Sequence, residues 1–272
     1  ATGTRSSSAS SMPSRRRCPA RKEIHAIVHP YPTPNPPKGR TTLHRPPRRA
    51  FGDVAAAAAR VRQELALTGA TISTVTSAPH FLADGTDPHQ TLLLILGVER
   101  RYDAGESDAV IQFLRAGGNV ILADEGGFGT AIAQSAGFAF DSSRVLDSHN
   151  HKGDPKLVVV NSTIDGRTYR LLLNSPANLV PLPDRTGAPK VLASSSAANV
   201  YPDGSYRDVN ANGEIDRGDP SGPFPLLVST DVGAGRLVLV ADTGLFMNRQ
   251  AALIDYENAA YVRRALADGA AG

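Results

Sequence analysis

Apolar and polar positions along this chain fall into blocks of two kinds. Thr91 to Leu96 reads TLLLIL and Asn119 to Ala123 reads NVILA. Short unbroken apolar runs suit strands buried on both faces, as in a parallel sheet covered by helices. Between them lies a helical pattern. Asp103 stands three residues before Glu106, the spacing of a capping box. Val110, Ile111 and Leu114 form the apolar stripe, and Gly117 and Gly118 end it. Upstream, Phe51 to Thr68 holds the run AAAAARVRQELAL, rich in good helix formers, with Gly69 placed to close it. Ala70 to Val75 alternates like a strand. After Ala123 the loop DEGGFG leads into a helix of roughly Thr130 to Ala136. Helix, strand, helix, strand, helix with short joints predicts an α/β domain whose mostly parallel sheet is flanked by helices.

Beyond Gly137 the texture changes. Lys156 to Val160, Tyr169 to Asn174 and Lys190 to Ala193 are short strand-like runs broken by Gly, Pro and Asn. They predict a β-rich insertion over residues 137–222. Phe224 to Thr230, the turn DVGAG and Arg236 to Ala241 predict an antiparallel hairpin. Ile254 to Ala267 predicts a closing helix with Ala260, Val262, Ala265 and Leu266 inward. The domain so defined runs from 51 to 268.

Charge divides the chain. Residues 1–50 carry 11 Lys and Arg against one acid, Glu23, for a net +10, and nine of the 20 prolines. The remainder holds 18 basic and 25 acidic residues, net −7. A segment so rich in Ser, Arg and Pro buries too little apolar surface to offset its ordering, so it is expected to be a disordered tail. EIHAIV, Glu23 to Val28, is the exception and reads as a short first strand. Arg15 to Arg17 and Arg45 to Arg49 suit phosphate or anionic lipid. Without interleaved aromatics, however, the tail is not expected to bind nucleic acid. Cys18 is the only cysteine, so no intrachain disulfide framework or Cys-based zinc site is expected. No apolar run approaches the ~18 residues of a membrane span, and no signal peptide is expected from the N-terminal sequence.

Asp208 to Asp219 reads DVNANGEIDRGD. Calcium takes about six to eight oxygens, and a twelve-residue loop supplies them from positions 1, 3, 5, 7, 9 and 12. Here those are Asp208, Asn210, Asn212, Glu214 through its carbonyl, Asp216 and Asp219, with Gly213 at the sharp turn. The pattern resembles the calcium loops of dockerins, which also end in Asp. Pro220, Gly222, Pro223 and Pro225 exclude the helix that would follow in a dockerin. Calcium is thus the expected cofactor. The plain alternative is a surface turn, since Asn, Asp and Gly favour turns on their own account.

Ligands of open α/β sheets bind beyond the carboxyl ends of the strands. Asp124 and Glu125 follow NVILA, and Asp242 follows RLVLVA. If those strands are parallel neighbours, three carboxylates share one crevice and suit a cation, a sugar or an amine. The plain alternative is that each Asp caps a turn. DEGGFG matches neither a dinucleotide fingerprint nor a P-loop, and it holds no Ser or Cys for a nucleophile elbow. His149 and His151 read equally as metal ligands or polar loop.

Four stretches together carry a resemblance: YDAGESDAVIQFLRAGGNVILADEGGFGTAIAQSAGF, RLLLNSPANL, GPFPLLVSTDVGAGRLVLVADTGLFMN and DYENAAYVRRAL. Their order over Phe51 to Leu266 resembles an uncharacterised family related to class I glutamine amidotransferases. Its archaeal and bacterial members often stand beside membrane helices. The resemblance implies a flavodoxin-like sheet, a setting at the cell envelope or outside the cytoplasm, and no established activity. Matching polar positions are Asp124, Glu125, Asn174, Asp242 and Asn248. The amidotransferase thiolate is absent, which disfavours glutaminase chemistry. No membrane span flanks the matching region, as expected for a soluble member or an excised soluble portion. The resulting expectation is a non-catalytic binding or scaffold domain, calcium-stabilised, with a protein or envelope partner. The alternative is a hydrolase acting on a carbohydrate or amide through Asp124, Glu125 and Asp242.

Overall fold

The computed structural model describes residues 23–28, 63, 71–75, 86–98, 100–183, 189–247 and 253–269. The expected helix over Phe51 to Thr68 lies almost wholly outside them, as does the tail apart from one strand. That strand, β1 (Glu23–Val28), lies between β2 (Thr71–Val75) and β3 (Thr91–Leu96) and pairs in parallel with both. EIHAIV is therefore an inner strand of the main sheet, although its sequence neighbours read as tail.

The main sheet continues from β3 to β4 (Asn119–Ala123) and then to β13 (Gly235–Val240), each pair parallel. There its direction reverses. Strand β12 (Pro225–Val232) runs antiparallel to β13, and β10 (Lys190–Ser194) runs antiparallel to β12. Six further strands form three two-stranded antiparallel sheets. They are β5 (Phe138–Asp141) with β9 (Asn178–Pro181), β6 (Arg144–Asp147) with β11 (Ser205–Asp208), and β7 (Leu157–Ile164) with β8 (Arg167–Asn174).

This corrects the expected fold. The sheet is mixed and the domain β-rich, so the mostly parallel, flavodoxin-like sheet flanked by helices does not hold. The physical reason lies after Gly137. Only β7–β8 and β12–β13 are antiparallel through tight turns. The pairs β5–β9, β6–β11 and β10–β12 join strands far apart in sequence, so local turn signals do not announce their direction.

Local signals before that point fare better. All six residues of β3 and all five of β4 are buried, as runs covered on both faces must be. Helix α1 (Ala104–Arg115) starts at Asp103, whose side chain accepts from Glu106 N at 2.8 Å. Asp103 N in turn donates to Glu106 Oε2 at 3.0 Å, which completes the capping box. Helix α2 (Thr130–Ala133) is short and passes through a 3₁₀ turn to Gly137, which at φ 74° takes the left-handed conformation of a C-cap.

The β12–β13 turn is interlocked with the end of α1. Ala234 N donates to Arg115 O at 3.3 Å. A Cβ on Gly233 would stand 2.6 Å from Arg115 Cα, and one on Gly235 would stand 2.1 Å from Gly118 O. Only glycine permits that approach.

Helix α3 (Asn258–Gly269) starts four residues later than the periodicity predicts. Tyr256 N donates to Leu253 O in a preceding turn, and Glu257 N donates to Arg170 O. The buried amide of Asn258 then pairs with Leu172 as a strand residue would. Its Oδ1 accepts from Leu172 N at 2.9 Å, and its Nδ2 donates to Leu172 O at 2.8 Å. Val262 and Leu266 turn inward as expected, joined by Tyr261, whose ring meets Tyr169 edge-on.

A sealed carboxylate crevice at the sheet end

Because β4 and β13 are parallel neighbours, Asp124 and Asp242 leave the sheet side by side. The ladder runs one residue past the strands, with Asp124 N donating to Val240 O at 3.1 Å. Both side chains are only 1% exposed. The two aspartates are therefore buried at adjacent strand ends, and what decides their chemistry is their partners.

Asp124 organises the glycine loop behind it. Its Oδ1 accepts from Gly126 N at 2.7 Å and its Oδ2 from Gly129 N at 2.6 Å. The loop folds tightly enough that a Cβ on Gly126 would meet the Phe128 ring at 2.8 Å. Burial pushes the Asp124 carboxyl up, and the Gly129 and Gly126 amides pull against that shift.

Asp242 does the same for the next turn. Its Oδ1 accepts from Gly244 N and its Oδ2 from Asn174 N, each at 2.7 Å. It caps the 3₁₀ turn Thr243–Phe246. Full burial raises its carboxyl well above the usual range, and the neighbouring Glu125 adds to the rise. The two amides and Arg144 oppose it. Glu125 Oε2 accepts from Thr243 N at 2.8 Å, so it holds the start of the same turn.

Two further residues complete the group. Asn174 enters through its backbone amide, its side chain being exposed. Arg144, at the start of β6, donates from Nη1 to Glu125 O at 3.1 Å and to Ser175 O at 3.0 Å. Nothing in the sequence distinguishes Arg144 from the other arginines, because its role depends on an insertion folding back over the sheet end. Asn248 lies outside the described residues. The crevice thus holds three carboxylates with at least one oxygen of each committed to a backbone N–H.

The loop Asp208–Asp219 is likewise tied to itself. Asp208 Oδ1 accepts from Asn212 N at 3.2 Å and its Oδ2 from Gly213 N at 2.8 Å. Asp219 Oδ2 accepts from Asp216 N at 2.9 Å. Asn210 and Asn212 each give Nδ2 to Asp216 Oδ2 at 2.8 Å, and their Oδ1 atoms accept from the N–H groups of Asn212 and Glu214. An amide nitrogen facing inward is not a calcium ligand, since calcium takes oxygen. Among the described residues no group of three or more His, Cys, Asp or Glu could hold a metal ion. The calcium-binding reading thus finds no support at this loop: as placed, the side chains serve as turn acceptors, the residues' other common role. Gly213, at φ 80°, does make the sharp turn that the spacing required.

His149 and His151 do not converge on a metal either. His149 Nδ1 stands 3.0 Å from Asp203 Oδ1, and His151 forms an isolated backbone bridge with Val158. Asp147, which no spacing in the sequence singles out, is fully buried. It accepts from the N–H groups of His149, Asn150 and Ser196 and from Ser196 Oγ, and so ties 148–150 to 196.

Mixed sheet, β-rich additions and buried aspartates that cap their own loops define a β-rich domain. The chain belongs to the DUF4350 family, a domain of unknown function whose family model matches residues 54–266. That replaces the resemblance to amidotransferase relatives, since no amidotransferase-like family is found. No curated protein matches the sequence. Among solved structures the chain is similar to the mmIFT52 N-terminal domain, at 12% identity and a TM-score of 0.57, covering 92% of this chain and 97% of that one. It is also similar to a ThuA-like protein from Bacteroides uniformis ATCC 8492, at 11% identity and a TM-score of 0.54, covering 92% of each chain. At such identities the likeness concerns the fold alone.

Proposed function

We propose that this chain is a non-catalytic binding or scaffold domain. One observation supports that reading over the hydrolase. Asp124, Glu125 and Asp242 all accept hydrogen bonds from backbone amides of the loops that close over them, and the two aspartates are buried. A general acid and base must reach the substrate, and carboxylates that cap turns under their own loops are poorly placed to do so. Their role is to fix the loops at the sheet end, leaving neighbouring surfaces to meet a partner.

A protein partner and a setting at or near the cell envelope form part of the proposal. The net +10 of residues 1–50 supports it, as a cationic segment suited to an anionic surface. Among the described residues no helix is long and apolar enough to cross a membrane. Hydrolysis of a panel of aryl glycosides and aryl amides tests the central claim. No turnover above buffer is expected. Turnover that Glu125→Gln abolishes would establish the hydrolase instead. Co-sedimentation with vesicles containing anionic lipid tests the envelope setting, and no sedimentation of the full chain would refute the tail's part in it.

A further inference from the structure

A second concavity lies at the other end of β13 from Asp242. Register places Lys190 opposite Ser229, Ser229 opposite Val238 and Asp231 opposite Arg236, so these residues share one face of the β10–β12–β13 edge of the sheet. Helix α3 and the tip of the β7–β8 hairpin stand over that face. Between them is a cavity of about 330 Å3. Leu192, Val238, Ile164, Tyr261 and Ala265 give it its apolar lining, and Thr163, Ser229 and Thr230 add hydroxyls. That volume is at the small end of the roughly 300–1,000 Å3 usual for ligand pockets, and an apolar lining with a few polar groups is their usual make-up.

The charges at its rim do not cancel. Arg236 Nε stands 3.6 Å from Asp231 Oδ1, and Asp165 is paired with Arg264. Each pair removes one charge of each sign. Lys190 also lines the cavity, and among the described residues no acid pairs with it. One ammonium at the mouth of an apolar hollow selects for one negative charge on an apolar body.

We propose that this cavity binds a small amphipathic monoanion, a carboxylate with an apolar body, whose charged end meets Lys190. Its body lies against Val238, Leu192 and Tyr261. The site is separate from the carboxylate crevice and stands whether or not the crevice is catalytic.

The probes are 4-phenylbutyrate and 4-phenylbutanol, which differ in charge but little in shape. Titration of the full chain at neutral pH, followed by calorimetry and methyl NMR shifts, should give saturable binding of the acid about fivefold tighter than the alcohol. Lys190→Met should erase that difference while leaving the alcohol's affinity unchanged. Val238→Phe fills the hollow and should weaken both probes at least about tenfold. Ala265→Leu, from the helix side, carries the same arm if Val238→Phe fails to fold. Saturation by neither probe would overturn the proposal. So would equal affinities in the parent chain, or cavity-filling variants that fold and bind as the parent does.

Discussion

Two acidic regions of this molecule use one chemistry on different scales. In the loop Asp208–Asp219, the carboxylates accept amides a few residues away, and the whole device closes within twelve residues. In the crevice, Asp242 accepts an amide from Asn174, and Glu125 accepts one from Thr243, each far off in sequence. The loop is a local fold with its own acceptors. The crevice is a junction where β4, β8, β13 and the start of β6 are fastened together. Its carboxylates also lie close enough for Glu125 to raise Asp242, whereas the loop offsets its acids with two asparagine amides. A carboxylate at a junction should therefore matter more to stability, and respond more to pH, than one in a loop.

The largest expected effect is on Asp242. Asp242→Ala leaves the part-buried Asn174 amide and the buried Gly244 amide without acceptors and should lower stability by about 2–4 kcal/mol in urea unfolding. A loss below about 1 kcal/mol would remove the junction's supposed importance. Asp208→Ala should cost about 1–2 kcal/mol, because the amides it frees lie nearer to water. That cost should be the same in millimolar calcium and in chelator. A melting temperature that rises with calcium in the parent but not in the variant would restore the metal reading.

The pH dependence sharpens the contrast. Asp242 has a folded pKa above its unfolded one, near 3.9. The folded state thus holds a proton that the unfolded chain releases, and stability falls as pH rises from about 4 through the folded value. The slope from one such proton is at most about 1.4 kcal/mol per pH unit. Asp242→Asn should flatten it, and a parent chain whose stability rises across that window in step with the variant would contradict the assignment. Smallest is Asp103→Ala, which removes a solvent-facing helix cap and should cost about 1 kcal/mol in urea unfolding.

Legibility followed the same division between local and distant. The capping box at Asp103, the buried runs of β3 and β4, the turn at Gly213 and the hairpin ending in Gly235 are set within a few residues, and each reads directly from the sequence. The side-by-side exit of Asp124 and Asp242 was legible as a condition on strand order. Strand order itself was not, because pairing β1 between β2 and β3 depends on chain that reads as tail. Sheet composition failed for a related reason. The β12–β13 reversal was legible from its turn, but apolar runs report burial and not direction, so the antiparallel pairings of β10 with β12, β5 with β9 and β6 with β11 were not. Arg144, Asp147 and Asn258 were invisible, since their partners are fixed only by folding.

The glycine turn wedged against the end of α1 bears on how the chain tolerates engineering. Linkers or epitope tags placed between β12 and β13 would force apart a backbone contact that not even one methyl group can enter. By contrast, a Cβ at Gly218 would meet nothing within 4 Å. A reporter inserted beside Gly218 should leave the domain intact, while the same graft at Gly233 should stop the antiparallel edge from docking on the parallel half.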